Sequence, residues 1–278
     1  MKILNGQIMA ENIVDEASMR SHQNQIAEKV RQHCAEDQYD LILFPELSSI
    51  EYSHRAFENL DKMAQTEDGW LVGAMAELAK EVNTSICFGM PRVNSHGTYI
   101  TQLVIDPKGQ TLASYDKVHI AQFGASAEKP YFDRGNHVAT FEIAGFRFGI
   151  IICYDMRFGE YIGEMVRRNE LDVILHPVAF YQDGSFASWR SFVCTRALEN
   201  QVYFISLNRA GSGWGYSRFC PPWFENENEV IELNEDEVFY CYKLDRTLLR
   251  NADASYPLKR DRIADYGDVL GKPFTVNH

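Results

Sequence analysis

Four short stretches of this chain are apolar almost without a break. They are "LILFPE" from Leu41, "FGIIIC" from Phe148, "DVILHPVAF" from Asp172 and "VYFISLNRA" from Val202. An apolar run of this length with no alternation reads as a strand covered on both faces, because a strand with one wet face would show polar residues at every second position. Strands of that kind need helices over them, and helical spacing fills the gaps. Ile13, Val14, Ala17, Ile26, Ala27, Val30 and Cys34 mark one long helical segment. "GWLVGAMAELAKEV", a segment running through Arg168 and residues 185–200 mark three more. Two hairpins complete the pattern, one turning at Asp106–Gly109 and one at Ala144-Gly145. From Tyr216 on, the sequence predicts further hairpin-like strands and a loose, polar tail. The chain therefore reads as one α/β domain over residues 1–278, with mixed sheets, covering helices, and 246–278 as a C-terminal extension that could take part in dimer contacts.

Charge and cysteine usage narrow the function. A net charge of −12 argues against nucleic acid and against an anionic membrane surface as partners. No apolar run reaches the roughly 18 residues of a membrane span, and "MKILNGQIM" is too short an apolar stretch for a signal peptide. The six cysteines (34, 87, 153, 194, 220 and 241) have no CxxC or framework spacing, which suits reduced thiols in a cytoplasmic protein. Cys34, Cys87 and Cys194 fall on helical or strand patterns and read as packing residues. His119, His137 and His176 lie on separate segments without metal-ligand spacing, so structural or pocket-rim roles and no zinc are expected.

Chemistry enters where strands end. Glu46 closes "LILFPE", Lys117 follows "SYD" at the end of a hairpin strand, and Cys153 closes "FGIIIC". Taken singly, each has a bland reading: a solvated carboxylate, a surface lysine, a core thiol. Taken together they are a base, a cation and a nucleophile at three strand edges, where α/β folds place their ligands. A neighbouring carboxylate could take the thiol proton. An ammonium and the N–H of Tyr154 could hold a developing oxyanion. Spacing alone does not establish that the three converge.

The segments "LFPELSS", "SYDKVHI" and "IICYDMRF" resemble, in order and separation, the three signature segments of the nitrilase superfamily, the carbon–nitrogen hydrolases. The likeness extends over roughly residues 1–245, through "AEKPYFDRGN", "LDVILHPVAF" and "GYSRFCPPW". It implies a nitrilase-like α-β-β-α sandwich, two mixed sheets flanked by helices, assembling as a homodimer or higher homo-oligomer. It implies a Glu46–Lys117–Cys153 triad with Glu128 in a supporting role, no metal and no cofactor. The substrate implied is a small linear amide or N-carbamoyl compound. Acyl transfer, nitrile hydrolysis and a non-catalytic scaffold are the alternatives.

Departures from the family pattern bear on the pocket. Gly159 stands where many relatives have proline, so the helix after the nucleophile could start differently. Tyr52, Tyr154, Phe180 and Tyr181 are expected to line the substrate pocket, with Trp189 as a further wall. If Glu51 also lines it, an acidic wall would disfavour a distal carboxylate. Asp155 and Arg157 read as a local ion pair fixing the turn after Cys153.

Overall fold

The computed structural model describes residues 1–263 and 267–271. The chain starts in β1 (Lys2–Gln7), followed by α1 (Glu16–Glu36) and β2 (Leu41–Leu43). The short helices α2 (His54–Phe57) and α3 (Leu60–Met63) lead to α4 (Trp70–Val82). The meander β3 (Ser85–Asn94), β4 (Gly97–Ile105) and β5 (Thr111–Asp116) completes the first half. The second half runs β6 (Thr140–Ile143), β7 (Phe146–Ile150), α5 (Gly159–Asn169), β8 (Val173–Pro177), α6 (Phe186–Asn200), β9 (Tyr203–Leu207) and β10 (Arg218–Cys220). It closes with β11 (Ile231–Glu232), β12 (Val238–Lys243) and α7 (Arg246–Ser255).

These strands form two six-stranded mixed sheets, ordered β12-β1-β2-β3-β4-β5 and β11-β10-β9-β8-β7-β6. Read from β12 and from β6, both sheets have the same succession of pairings: antiparallel, parallel, parallel, antiparallel, antiparallel. The apolar runs supply β2, β7, β8 and β9, the parallel-paired interior strands, as their lack of alternation requires. The sheets meet face to face. Tyr203 of one meets Tyr242 of the other edge-on at 6.2 Å between ring centroids, and Phe219 packs tilted against the same Tyr242 at 5.4 Å. Helices α1 and α4 flank the first sheet and α5 and α6 the second, giving the α-β-β-α sandwich.

Local chemistry sets the element ends. Asp15 caps α1, its Oδ1 accepting the Ser18 N–H at 2.8 Å, so the helix begins at Glu16 and Ile13 and Val14 lie before it. Its buried face is Met19, Gln23, Ile26, Ala27 and Val30, one stripe of a 3.6-residue period. The expectation of a loose tail fails at two places. Strand β12 leaves the hairpin region and pairs with β1 in the other sheet; Gly6 makes room, since a β-carbon there would meet Phe44 at 2.7 Å and Phe239 at 3.1 Å. Residues 246–255 then form α7, capped by Asp245 through the Thr247 N–H. Ala264–Tyr266 and the end of the C-terminal extension after Gly271 lie outside the described residues.

Candidate active site

The strand carrying the thiol ends at Ile150, earlier than its apolar run suggests. Ile151 and Ile152 continue extended, and a 3-10 turn occupies Cys153–Arg157. Cys153 itself takes φ of +44°, a left-handed conformation that costs a residue with a β-carbon about 1–2 kcal/mol. The surroundings hold it there. Asp155 is fully buried, and its Oδ2 accepts the Ile152 N–H at 2.9 Å and the Tyr115 hydroxyl at 2.8 Å. Its Oδ1 accepts the His119 N–H at 2.9 Å and meets His119 Nδ1 at 2.6 Å.

On the other side, His176 Nε2 lies 2.9 Å from the Cys153 carbonyl and its Nδ1 lies 2.9 Å from the Ser206 hydroxyl. Burial brings the His176 pKa down to about 4, so the neutral ring donates from Nε2 to the carbonyl and accepts from Ser206. The Trp189 indole N–H donates to the same hydroxyl at 3.1 Å. Each side of the turn is thus over-determined by buried hydrogen bonds, which is what a strained residue needs to persist. The expected Asp155–Arg157 ion pair is absent: a carboxylate that turns back to its own strand end cannot also reach a guanidinium pointing the other way. Helix α5 starts directly at Gly159, where a β-carbon would meet the Arg196 guanidinium at 2.7 Å. Glycine here makes room for Arg196, which donates to the Met156 carbonyl at 2.9 Å.

Beside the thiol lies a fully buried charge cluster. Lys117 Nζ donates to Glu46 Oε1 at 2.7 Å and to Glu128 Oε1 at 2.6 Å, and none of the three side chains has any exposure. Glu46 Oε2 accepts the Ala179 N–H at 2.7 Å. Glu128 Oε1 also accepts the Tyr52 hydroxyl at 2.6 Å, and its Oε2 the Ala121 N–H at 2.8 Å. Burial works against the Lys117 ammonium, but the Glu128 and Glu46 carboxylates outweigh it and hold its pKa above the ordinary value. Burial pushes the Glu46 carboxyl up, with Lys117 pulling it back. The Cys153 thiol is raised well above the usual range by burial and then by the Glu46 charge, while Lys117 acts in the opposite direction. A buried thiol of this kind stays protonated until a base removes its proton.

The backbone around Glu46 is held as firmly as its side chain. Leu47 has φ of +47°. Arg209, 2% exposed, donates to the carbonyls of Glu46 (3.1 Å) and Ile50 (2.8 Å), and also to those of Leu47 and Ala10. Burial brings its pKa down to about 10, which leaves the guanidinium charged near neutral pH. Gly89 lets β3 pass close beneath, since a β-carbon there would sit 2.4 Å from Leu47 N and 2.5 Å from Pro45 O.

Cys153 opens onto a cleft of about 220 Å³, below the roughly 300–1,000 Å³ typical of drug-sized ligands. Tyr52, Tyr154, Phe180 and Tyr181 line it, as the sequence predicts. Trp189 does not: it is fully buried behind Phe180, stacked at 5.4 Å between ring centroids. The indole that reaches the cleft is Trp214, against Tyr181 and Tyr52. Glu51 is also outside the cleft. Its carboxylate accepts from the Asn12 N–H and from Arg55, facing an adjoining hollow. The charged groups in the wall are Asp183 and Arg157. Asp183 is taken up by the N–H and hydroxyl of Ser185 at 2.8 and 2.7 Å. Arg157 lies 5.4 Å from the ring centroids of Phe123 and Phe192 and reaches Ser188 at 3.4 Å. Its Nη2 is buried with no hydrogen-bond partner among the described residues.

Arg157, Trp214, Arg209 and His176 were not legible as site residues from the chain alone. "GSGWG" marks the loop of Trp214, but nothing in it says which way the indole turns.

The profile of the family described as carbon-nitrogen hydrolase matches residues 10–240. Among curated proteins, the omega-amidase NIT2 of Homo sapiens is 26% identical over 246 residues, covering 84% of this chain and 87% of that protein. The 2-oxoglutaramate amidase of Bacillus subtilis is 28% identical over 190 residues, covering 66% and 71%. Among solved structures, Saccharomyces cerevisiae Nit3, a member of branch 10 of the nitrilase superfamily, superposes with a TM-score of 0.80 at 20% identity, covering 93% of this chain and 94% of that one.

Proposed function

The chain belongs to the carbon–nitrogen hydrolase family, and on that footing we propose that it hydrolyses the C–N bond of a small linear amide through a thioester on Cys153. The observation carrying this reading is the buried Glu46–Lys117–Glu128 cluster set against a thiol held at φ of +44° on the floor of a small cleft. The Glu46 carboxylate takes the thiol proton as the sulfur attacks the amide carbonyl. Lys117 and the Tyr154 N–H hold the oxyanion. When the tetrahedral adduct collapses, the C–N bond breaks and Glu46 gives its proton to the departing amine or ammonia. Glu46 next takes a proton from water as the hydroxide adds to the thioester. The C–S bond breaks and the proton returns to sulfur. Glu128 fixes Lys117 and positions the substrate end nearest Tyr52. No step needs a metal or organic cofactor.

Two observations support a substrate class. The two curated relatives named above are amidases, one named for omega-amides and one for 2-oxoglutaramate. In this chain Arg157, whose buried Nη2 has no hydrogen-bond partner among the described residues, lines the cleft, and the acidic Glu51 does not. A short amide with a carboxylate at its far end matches both; an N-carbamoyl acid presents the same groups. We further read the protein as a cytoplasmic homo-oligomer. Exposed Leu248 and Leu258 in the C-terminal extension support a contact there.

The test is ammonia release from ω-amides of dicarboxylic acids, aliphatic amides, N-carbamoyl compounds and nitriles, with the native chain and with Cys153→Ala. Release from the carboxylate-bearing amides by the native chain alone is the expected result. Release surviving in Cys153→Ala overturns the nucleophile. Turnover that appears only when an amine acceptor is added replaces hydrolysis by acyl transfer.

A further inference from the structure

A pair of thiols lies behind the catalytic turn, on α6 and β10. Cys194 on α6 and Cys220 at the end of β10 have their sulfurs 3.5 Å apart, where the helix packs on the strand. Arg218 Nε donates to Cys194 Sγ at 3.3 Å, and the same guanidinium is anchored on Glu232, which Arg190 of α6 also holds. Cys194 is partly exposed and Cys220 fully buried. We propose that Cys194 and Cys220 are an oxidation site, a dithiol that hydroperoxides convert reversibly to a disulfide, with Cys194 as the attacking sulfur.

The geometry divides the roles. Cys194 has the solvent access and the fixed cation, the surroundings that make a thiol reactive. Cys220 has no free approach, being fully buried with its sulfur against that of its neighbour. The contact with the Cys220 sulfur and Arg218 bring the Cys194 pKa down to about 6 against burial, and the same contact raises that of Cys220. The Cys194 thiolate attacks one peroxide oxygen; the S–O bond forms, the O–O bond breaks, and the leaving oxygen takes a proton to depart as water or an alcohol. The sulfur of Cys220 then attacks the sulfenic acid. The S–S bond forms, the S–O bond breaks, and the hydroxide leaves as water with the Cys220 proton. Closing 3.5 Å to the roughly 2.05 Å of a disulfide asks for a small movement of two side chains on elements already in contact. Two residues further along α6, Arg196 braces the Met156 carbonyl, so the pair lies on the same support as the catalytic turn.

The experiment treats the full chain, and separately Cys153→Ser, with hydrogen peroxide, blocks free thiols with iodoacetamide and maps peptides without reduction. The expected product in both is a peptide pair joined at Cys194 and Cys220 and released by dithiothreitol. In Cys220→Ala, dimedone should trap a sulfenic acid at Cys194; in Cys194→Ala, Cys220 should stay unlabelled. Oxidation of Cys194 to the sulfinic acid without a cross-link overturns the proposal, as does a cross-link to another cysteine. Dimedone labelling of Cys220 in Cys194→Ala overturns the assignment of the attacking sulfur.

Discussion

Replacing Lys117 with methionine keeps an unbranched side chain one atom shorter and removes the charge and the N–H donors that bind Glu46 and Glu128. Among the described residues the ammonium is the only cation paired with Glu46 and Glu128, at 2.7 and 2.6 Å, and none of the three groups touches solvent. Without it, Glu46 and Glu128 face one buried space unpaired. Deleting one partner of a buried ion pair costs about 3–5 kcal/mol. With a urea m-value of about 3 kcal/mol/M, that lowers the unfolding midpoint by about 1 M or more. The loss should depend on pH in one direction. Burial already holds the Glu46 carboxyl above its ordinary 4.5, and removing Lys117 takes away what pulls it down. A carboxyl whose pKa is higher folded than unfolded binds its proton more tightly in the folded state. The deficit of Lys117→Met relative to the native chain is therefore small below pH 4.5 and grows as pH climbs through the raised folded value. Urea midpoints of both proteins at pH 5 and pH 8 measure this. Adding Glu128→Gln to Lys117→Met should recover part of the midpoint at pH 8 while leaving the protein inactive. A Lys117→Met midpoint equal to the native one at pH 8, or a deficit identical at both pH values, would refute the ion-pair account.

Asp155→Asn keeps the volume but turns one acceptor oxygen into a donor, losing two of the four bonds at the catalytic turn. At about 1.5–3 kcal/mol for each hydrogen bond to a charged group, thermal unfolding should fall measurably and kcat should drop with KM little changed. Arg157→Leu should raise KM for carboxylate-bearing amides by about 10–150-fold, the equivalent of one charged hydrogen bond, and leave neutral amides unaffected; a uniform change across both substrate classes would remove Arg157 from substrate recognition. Gly89→Ala forces a β-carbon against the backbone of Pro45 and Leu47. Overpacking of that kind costs about 1–3 kcal/mol. Because it displaces the Glu46 backbone, activity should fall further than the unfolding midpoint does.

Cys153 and Glu46 show why part of the site could be read from the chain. Each follows an apolar run that can only be a covered strand, so the first polar residue after it falls at a sheet edge. That inference needs the local sequence and nothing else. Lys117 follows a hairpin strand and reads the same way; the resemblance then adds Glu128, and the structure brings all four together. The Asp155–Arg157 pairing failed for the complementary reason. Spacing made them neighbours, but Asp155 is bound by Tyr115 and His119, which are separated from it by 40 and 36 positions. Trp189 failed likewise, since a tryptophan on an apolar helix face packs inward and Trp214 on a glycine-rich loop is free to turn toward the cleft.

The sequence by itself determined the alternation of strands and helices and the sheet edges at which Glu46, Lys117 and Cys153 stand. These follow from hydrophobic period, turn residues and local hydrogen bonds, whose range is a few positions along the chain. Only the tertiary structure decided that Lys117 joins Glu46 across 71 positions, that the Ala179 N–H reaches Glu46 across 133, and that β12 returns to the first sheet. It also decided that Cys194 meets Cys220. Those contacts arise where two sheets and their helices pack, and their energies come from burial and charge pairing between segments whose local sequences carry no record of one another.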